Sequence, residues 1–179
     1  MEKKQQPKKW HTQHAKILKS WGETSSCYRY LHFQAYLKYK SLNMHFSMPI
    51  IVISTVTGTA NFAQETFPDA WAVYVPLCIG GLNLFAAIFA TVAQFLKISE
   101  LMEAHRVASM SYGKLARDIK LELSLPILDR RHAGDDFINR CSTEYDRLIE
   151  QSPPPPASII DKFEKTFNAT NDFEKCMFR

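Results

Sequence analysis

Two long stretches without charged side chains limit what this chain can fold into more than any other feature. Residues 41–64 contain no Asp, Glu, Lys or Arg, and residues 70–96 contain no charged side chain. Each stretch exceeds the roughly 20 residues that a helix needs to cross about 30 Å of hydrocarbon. The sequence therefore predicts two transmembrane helices, with a buried helical hairpin of a soluble protein as the alternative.

The connection between the two stretches predicts their topology. Residues 65–69 are few and acidic and include Pro68, which ends a helix, so the two helices must be antiparallel. This loop carries no Lys or Arg, whereas both outer flanks are basic. The flanking basic residues are Arg29, Lys38, Lys40, Lys97, Arg106, Lys114 and Arg117. By the positive-inside rule both termini are predicted to face the cytosol or its topological equivalent.

Small and polar side chains interrupt both predicted spans. Amide side chains are the most informative of them, because an amide that faces lipid lacks hydrogen-bond partners. Two interpretations stay open: these side chains line a pore inside an oligomer, or they hold helices together. The pore-lining or interhelical candidates are Asn61, Asn83, Thr91 and Gln94. The helix-packing candidates are Thr55, Gly58, Thr59, Gly81, Ala86 and Ala90.

Mostly apolar and aromatic residues continue at three- and four-residue steps, or multiples of these, on both sides of the spans. The upstream row is Trp10, His14, Ile17, Trp21, Tyr28, Leu31, Ala35, Leu42 and Phe46. The downstream row is Phe95, Ile98, Met102, His105, Ser109, Tyr112, Ala116, Ile119 and Leu123. Such spacing is typical of a coiled coil. Gly22, Ser25 and Ser26 are weak helix formers and mark a candidate break in the first helix.

The predicted fold class is all-α, an antiparallel transmembrane helical hairpin extended into a cytosolic coiled-coil-like stalk, with short C-terminal helices. Pro126 ends the helix after the second span, and Asp135 and Asp136 are N-cap candidates for a helix that reaches about Gln151. The predicted segments are a basic N-terminal cytosolic helix (1–40), the first span (41–64), an outer loop (65–69), the second span (70–96), a cytosolic helix (97–125) and C-terminal helices (126–179) with a Pro-rich linker (152–156).

The sequence shows no pattern of catalytic chemistry. It lacks a nucleophile elbow, a phosphate loop and a dinucleotide fingerprint, so an enzyme is not expected. No cofactor or metal is expected, and the four widely spaced cysteines predict free thiols. His105 is a candidate pH sensor, because a modest pKa shift moves a histidine's charge across physiological pH. The basic N-terminal arm is interpreted as a solvated face beside a membrane, and nucleic-acid binding is not expected.

Several short runs, taken in order, resemble a known family. The first half contains the runs 21–23, 27–32 and 49–62, and the second half contains 95–97, 103–106, 112–117 and 122–126. Together they resemble the SLATT family of two-span helical membrane proteins, over about residues 15–167. The run 145–153, followed by Ile159, Ile160 and Phe163, is similar to the branch found in giant DNA viruses.

The resemblance implies a homo-oligomeric membrane assembly. Bacterial relatives accompany nucleotide-signalling systems and are proposed to be pore-forming effectors, a context that the viral branch lacks. Two hypotheses follow. The chain forms a pore or channel, or it is a membrane-anchored structural protein that engages a capsid or another protein through its C-terminal region. The expected location is a host membrane or the internal membrane of a virion.

Overall fold

The computed structural model describes residues 10–167, so the outer ends of the two predicted terminal segments, 1–9 and 168–179, lie outside the described residues. All regular structure in residues 10–167 is helical, which confirms the predicted all-α class. The helices are α1 (Thr12–Phe62), α2 (Tyr74–Phe95), α3 (Ile98–Ser124), α4 (Gly134–Gln151) and α5 (Ala157–Phe167). Two short 3-10 turns, Gln64–Thr66 and Asp69–Trp71, lie between α1 and α2.

Helix α1 continues without interruption through Gly22, Ser25 and Ser26, so the predicted break is wrong. A Cβ atom on Gly22 would lie 3.2 Å from Cγ2 of Ile119 on α3, which shows that glycine here permits close approach of two helices. The Ser26 hydroxyl donates to the carbonyl of Gly22 at 2.8 Å. Tertiary packing and a satisfied hydroxyl thus offset the poor helix propensity of Gly22 and Ser26.

The helical run after the second predicted span is interrupted at Leu96 and Lys97, where a continuous row from Phe95 was predicted. Lys97 has a φ of 51°, in the left-handed region that side chains other than glycine rarely adopt. The turn is closed by backbone hydrogen bonds of 3.0 Å from Leu96 N–H to Val92 O and from Lys97 N–H to Gln94 O. Phe95 therefore leaves the predicted row and is 84% exposed, whereas Ile98 is buried.

The chain divides into two compact units. The terminal unit comprises Met1–Tyr36 and Glu103–Arg179, and the central unit comprises Leu37–Met102. Each unit contains part of α1 and part of α3.

Three helices build the core of the terminal unit. Its buried cluster is Leu18, Ala108, Tyr112, Leu115, Ile119, Phe137, Cys141 and Leu148. Within this unit the predicted α3 row faces the interior, since His105, Ser109, Tyr112 and Ile119 are buried and Ala116 and Leu123 are half-buried. The α1 row is wrong at Ile17, which is exposed, because the neighbouring Leu18 faces the core.

Helices α4 and α5 follow the predicted pattern with one correction. On α4 the predicted face contacts the core, as Phe137, Cys141 and Leu148 are buried. The N-cap is Ala133, which makes no side-chain cap hydrogen bond, so the N-cap prediction at Asp135 and Asp136 is wrong. Both carboxylates instead lie in the first turn, where negative charge interacts favourably with the helix dipole.

The central unit pairs the C-terminal part of α1 with α2. The ring centroids of Phe46 and Phe89 are 5.6 Å apart, and Thr57 is hydrogen-bonded to Asn83. Residue numbers rise on one helix as they fall on the other, so the two helices are antiparallel.

One helical run in the described residues is long and apolar enough to cross a membrane. It lies within Tyr74–Ser124, and its most apolar window has a mean hydropathy of 2.0 and is 11% buried. The earlier stretch, 41–64, is less apolar because hydroxyl and amide side chains are mixed with its aliphatic residues.

Candidate functional site

A partly buried hydrogen bond joins the two helices of the central unit. The Thr57 hydroxyl donates to Oδ1 of Asn83 at 2.8 Å and lies 2.9 Å from the carbonyl oxygen of Ile53. Thr57 is buried, as are Ile79 and Ala86 on α2. The structure thus places Asn83 at an interhelical contact. Sequence reasoning missed Thr57, although it lies between two predicted packing residues, Thr55 and Thr59.

The other three polar candidates lie on the exposed surface of the central unit. The Thr91 hydroxyl donates to the carbonyl of Ala87 at 2.8 Å, and Oδ1 of Asn61 accepts from the Gln64 amide at 3.2 Å. Gln94 is also exposed. The pairing of α1 with α2 therefore leaves these side chains available for contact outside the unit.

Among the helix-packing candidates, Ala86 is the one buried inside the central unit. The Thr55 and Thr59 hydroxyls donate to their own helix, to Ile51 O at 2.8 Å and to Thr55 O at 2.9 Å. A Cβ atom added to Gly58 or Gly81 would meet nothing within 4 Å. Ala90 is exposed.

Small and polar residues lie along one side of the helix pair, here called the polar face, with the exposed Ile51 beside them on α1. Each helix contributes one row of residues to this face. An α-helix turns about 100° per residue, so each row lies about a quarter turn around its own helix from the side that contacts the other helix, and in the same rotational sense on both helices. Because the helices are antiparallel, the two rows lie on the same side of the pair. The rows are Ser47, Ser54, Gly58 and Asn61 on α1, and Gly80, Ala87, Thr91 and Gln94 on α2.

The side of the pair away from the polar face is apolar. It exposes aliphatic and aromatic side chains along both helices. These are Val52 and Val56 on α1, and Phe85, Ile88 and Val92 on α2. The central unit is thus polar on one side and apolar on the other, a division that sequence reasoning did not assign to particular faces.

A histidine pair lies in the interior of the terminal unit. The Nδ1 atoms of His32 and His105 are 2.9 Å apart, and each residue is only 1% exposed. One ring must donate this hydrogen bond and the other accept it, so the pair cannot keep it when both rings are protonated. His105, the candidate pH sensor, is therefore hydrogen-bonded to His32, a partner that sequence reasoning missed.

Aromatic rings surround the pair. The Tyr112 ring stacks on His32, with centroids 5.5 Å apart and an interplanar angle of 13°, and on Tyr28, with centroids 5.1 Å apart. A pocket of about 230 Å³ beside these rings is bounded by Ser152 and the following prolines. Burial lowers the pKa of His32 to about 4, with a smaller contribution from His105, and burial also lowers the pKa of His105.

No protein-family model matches the chain, and no curated protein or solved structure is significantly similar to it. The resemblance to the SLATT family therefore stays a prediction from the motifs.

A buried carboxylate organises the loop between α3 and α4. Oε1 of Glu122 accepts a hydrogen bond from the His132 backbone N–H at 2.9 Å, and Glu122 is buried. The Trp10 indole donates to His132 O at 3.0 Å, while the Arg130 guanidinium lies 4.1 Å from the Trp10 ring centroid. Sequence reasoning missed this network, because it joins residues more than a hundred positions apart.

Neither unit holds a recognisable metal centre within residues 10–167, where no three His, Cys, Asp or Glu side chains are grouped to bind an ion. Cys78 and Cys141 are free thiols. Burial raises the pKa of Cys141 to about 11, which disfavours the reactive thiolate.

Proposed function

We propose that this chain is a two-pass integral membrane protein that assembles into a homo-oligomeric pore or channel, similar to SLATT proteins. The observation that carries the proposal is the polar face of the central unit. A lone hairpin in lipid would leave the amides of this face, Asn61 and Gln94, against hydrocarbon, which is unfavourable. Copies arranged with their polar faces inward would give these side chains water or one another as partners.

The apolar side of the central unit supports membrane insertion. Apolar patches larger than a few hundred Å² are rare on soluble monomers, and here they follow both helices. The absence of Lys and Arg from residues 65–69, between two basic flanks, supports cytosolic termini. In this proposal residues 41–64 and 70–96 both cross the bilayer, with Asn61, Thr91 and Gln94 near the pore and Asn83 joining the helices.

Topology can be tested by cysteine labelling in intact cells. In a variant without the four native cysteines, Thr66→Cys is expected to react with a membrane-impermeant maleimide added outside, because Thr66 lies in the loop. The matched control, Lys120→Cys on α3, is expected to react only after the membrane is permeabilised. Equal labelling at both positions before permeabilisation would contradict the two-pass arrangement.

Pore formation can be tested in planar bilayers. Gln94→Glu adds a negative charge at constant size, so it is expected to increase the permeability of cations relative to anions. The control is Thr59→Ser on the apolar side, which is expected to conduct like the wild type. A lack of conductance across lipid compositions, or unchanged ion selectivity in Gln94→Glu, would count against a pore lined by this face.

The second candidate is a membrane-anchored scaffold in a viral or host membrane. It is favoured by Ile127 and Leu128, adjacent apolar residues of the terminal unit; Leu128 is 93% exposed. A capsid or another protein partner would cover them. Isolation of the protein as a symmetric ring around a hydrated channel, together with its absence from virions, would exclude this function.

A further inference from the structure

We infer that the terminal unit contains a binding site for a phosphate group, formed by Arg29 on α1 and Lys114 and Arg117 on α3. This inference does not depend on pore formation. The three basic side chains line a single pocket of about 490 Å³, together with Ser109, Met110 and Ser111. That volume lies in the range of pockets that hold small molecules, about 300–1,000 Å³.

Gly113 brings the two arginines together. A Cβ atom at Gly113 would lie 2.8 Å from Cδ of Arg29 and 3.3 Å from Nη1 of Arg117. Both side chains therefore cross the same point of the α3 backbone, which any larger residue would occupy. Glycine inside a helix is unfavourable by about 1 kcal/mol relative to alanine. The convergence of the two arginines explains why this helix has a glycine at position 113.

The charges of the two arginines at this point are not balanced by ion pairs. Within residues 10–167, no carboxylate lies within 4 Å of a charged nitrogen of Arg29, Lys114 or Arg117. Lys114 also lines a neighbouring pocket with Asp118 and Glu144, and its charge contributes to lowering the pKa of Glu144. Arg106, by contrast, is held by Glu103 at 2.6 Å. Like charges brought together in a folded protein repel one another, and a bound anion removes that repulsion.

The chemistry of the lining favours a phosphate monoester. Guanidinium groups match the oxygens of phosphate in a bidentate geometry, and a lysine adds a point charge. The Ser109 hydroxyl donates to Arg29 O at 3.1 Å, which fixes the helix segment that carries the arginine. Met110 gives one edge of the pocket an apolar character suited to the organic part of an ester.

The phosphate could belong to a soluble ester or to a lipid headgroup, and a matched pair of probes separates the two sources. Glycerol 3-phosphate and phosphatidic acid carry the same phosphate monoester. The full-length protein in phosphatidylcholine nanodiscs is titrated with glycerol 3-phosphate, and in parallel it is compared between nanodiscs with and without phosphatidic acid. A saturable rise in Tm is expected with at least one probe, and the probe that acts identifies the source.

Substitutions of the basic residues test whether binding occurs at this site. Arg29→Gln with Arg117→Gln is expected to weaken binding by roughly tenfold or more, since charge-assisted hydrogen bonds are lost. The control, Lys16→Gln with Arg131→Gln, removes the same charge from exposed positions of the same unit and is expected to bind like the wild type. Without ligand, the arginine variant is expected to be at least as stable as the wild type, because a repulsion is removed.

Gly113→Ala tests the convergence separately. The added Cβ meets flexible side chains rather than backbone, so the protein is expected to fold while the arginines are displaced and binding weakens. A Tm that does not respond to either probe would overturn the inference. So would a response that is unchanged in both the arginine variant and Gly113→Ala.

Discussion

The terminal and central units are both built from paired helices, yet they distribute apolar residues in opposite ways. The terminal unit buries its large rings, such as Tyr112 and Phe137. In the central unit the buried residues on the paired helices are few and include Thr57 and Ala86, while residues such as Phe85 and Ile88 are exposed. The hydrophobic effect in water explains the first arrangement, whereas the second fits the lipid surroundings proposed for this unit.

The largest difference is expected when the same substitution is made in both units. Phe137→Ala empties a position that is 2% exposed in the core of the terminal unit, so it is expected to lower the free energy of unfolding by about 3–5 kcal/mol. Phe95→Ala removes an equal ring from an exposed position of the central unit and is expected to have little effect. Thermal unfolding in detergent measures both. Equal losses of stability would contradict the comparison.

The second test introduces a charge on exposed aliphatic positions. Ile88→Arg places a guanidinium on the apolar side of α2, where the cost at the centre of a membrane helix is about 2.5–3.5 kcal/mol. The fraction of protein that resists carbonate extraction is expected to fall. Val107→Arg, at a similarly exposed position of α3 in the terminal unit, is expected to insert normally. If both variants are extracted alike, the apolar side of α2 does not face lipid.

The third test uses pH and concerns the terminal unit. The pKa of His32 is about 4 in the folded chain, below its ordinary value of 6.5, so between these values the unfolded chain binds a proton that the folded chain does not. Stability is therefore expected to be constant above about pH 7. It should fall by on the order of 3 kcal/mol as the pH decreases from 6.5 to 4.

The titratable side chains that face His32 are His105, Tyr28 and Tyr112. The double variant His32→Phe with His105→Leu is expected to be less sensitive between pH 6.5 and 4. The exposed His11 provides the control, since His11→Phe should keep the acid-sensitive profile. Chemical denaturation at a series of pH values is the measurement, and an unchanged profile in the double variant would contradict the role of the pair.

Periodicity predicted the helices well because burial repeats along a single helix. The α3 row and the α4 face depend only on which residues share a side, so His105, Tyr112 and Phe137 could be placed from spacing alone. The bounds of α4 and the end of α3 before a proline could likewise be predicted from neighbouring residues in the sequence. The all-α class required no knowledge of how the helices pair.

Features that depend on pairing between distant residues could not be predicted. The low helix propensity of Gly22 indicates a break in α1, but in the structure Gly22 packs closely against Ile119 on another helix. The sequence did not indicate that His32 is the hydrogen-bond partner of His105 or that Thr57 is the partner of Asn83, because a partner on another helix depends on the register between the two helices. The side of the polar face became clear only once the contact face between α1 and α2 was known.

The smallest effect is expected at the hydrogen bond inside the central unit. Thr57→Val keeps the shape of the side chain but removes its bond to Asn83, and hydrogen bonds between membrane helices contribute about 0.6 kcal/mol on average. Thr59→Val is the matched control, because its hydroxyl bonds only its own helix at an exposed position. Unfolding in increasing denaturing detergent should show a small loss for Thr57→Val and a smaller one for Thr59→Val. A larger loss for Thr59→Val would mean that contacts between chains at the apolar side, rather than the α1–α2 pair, hold the central unit together.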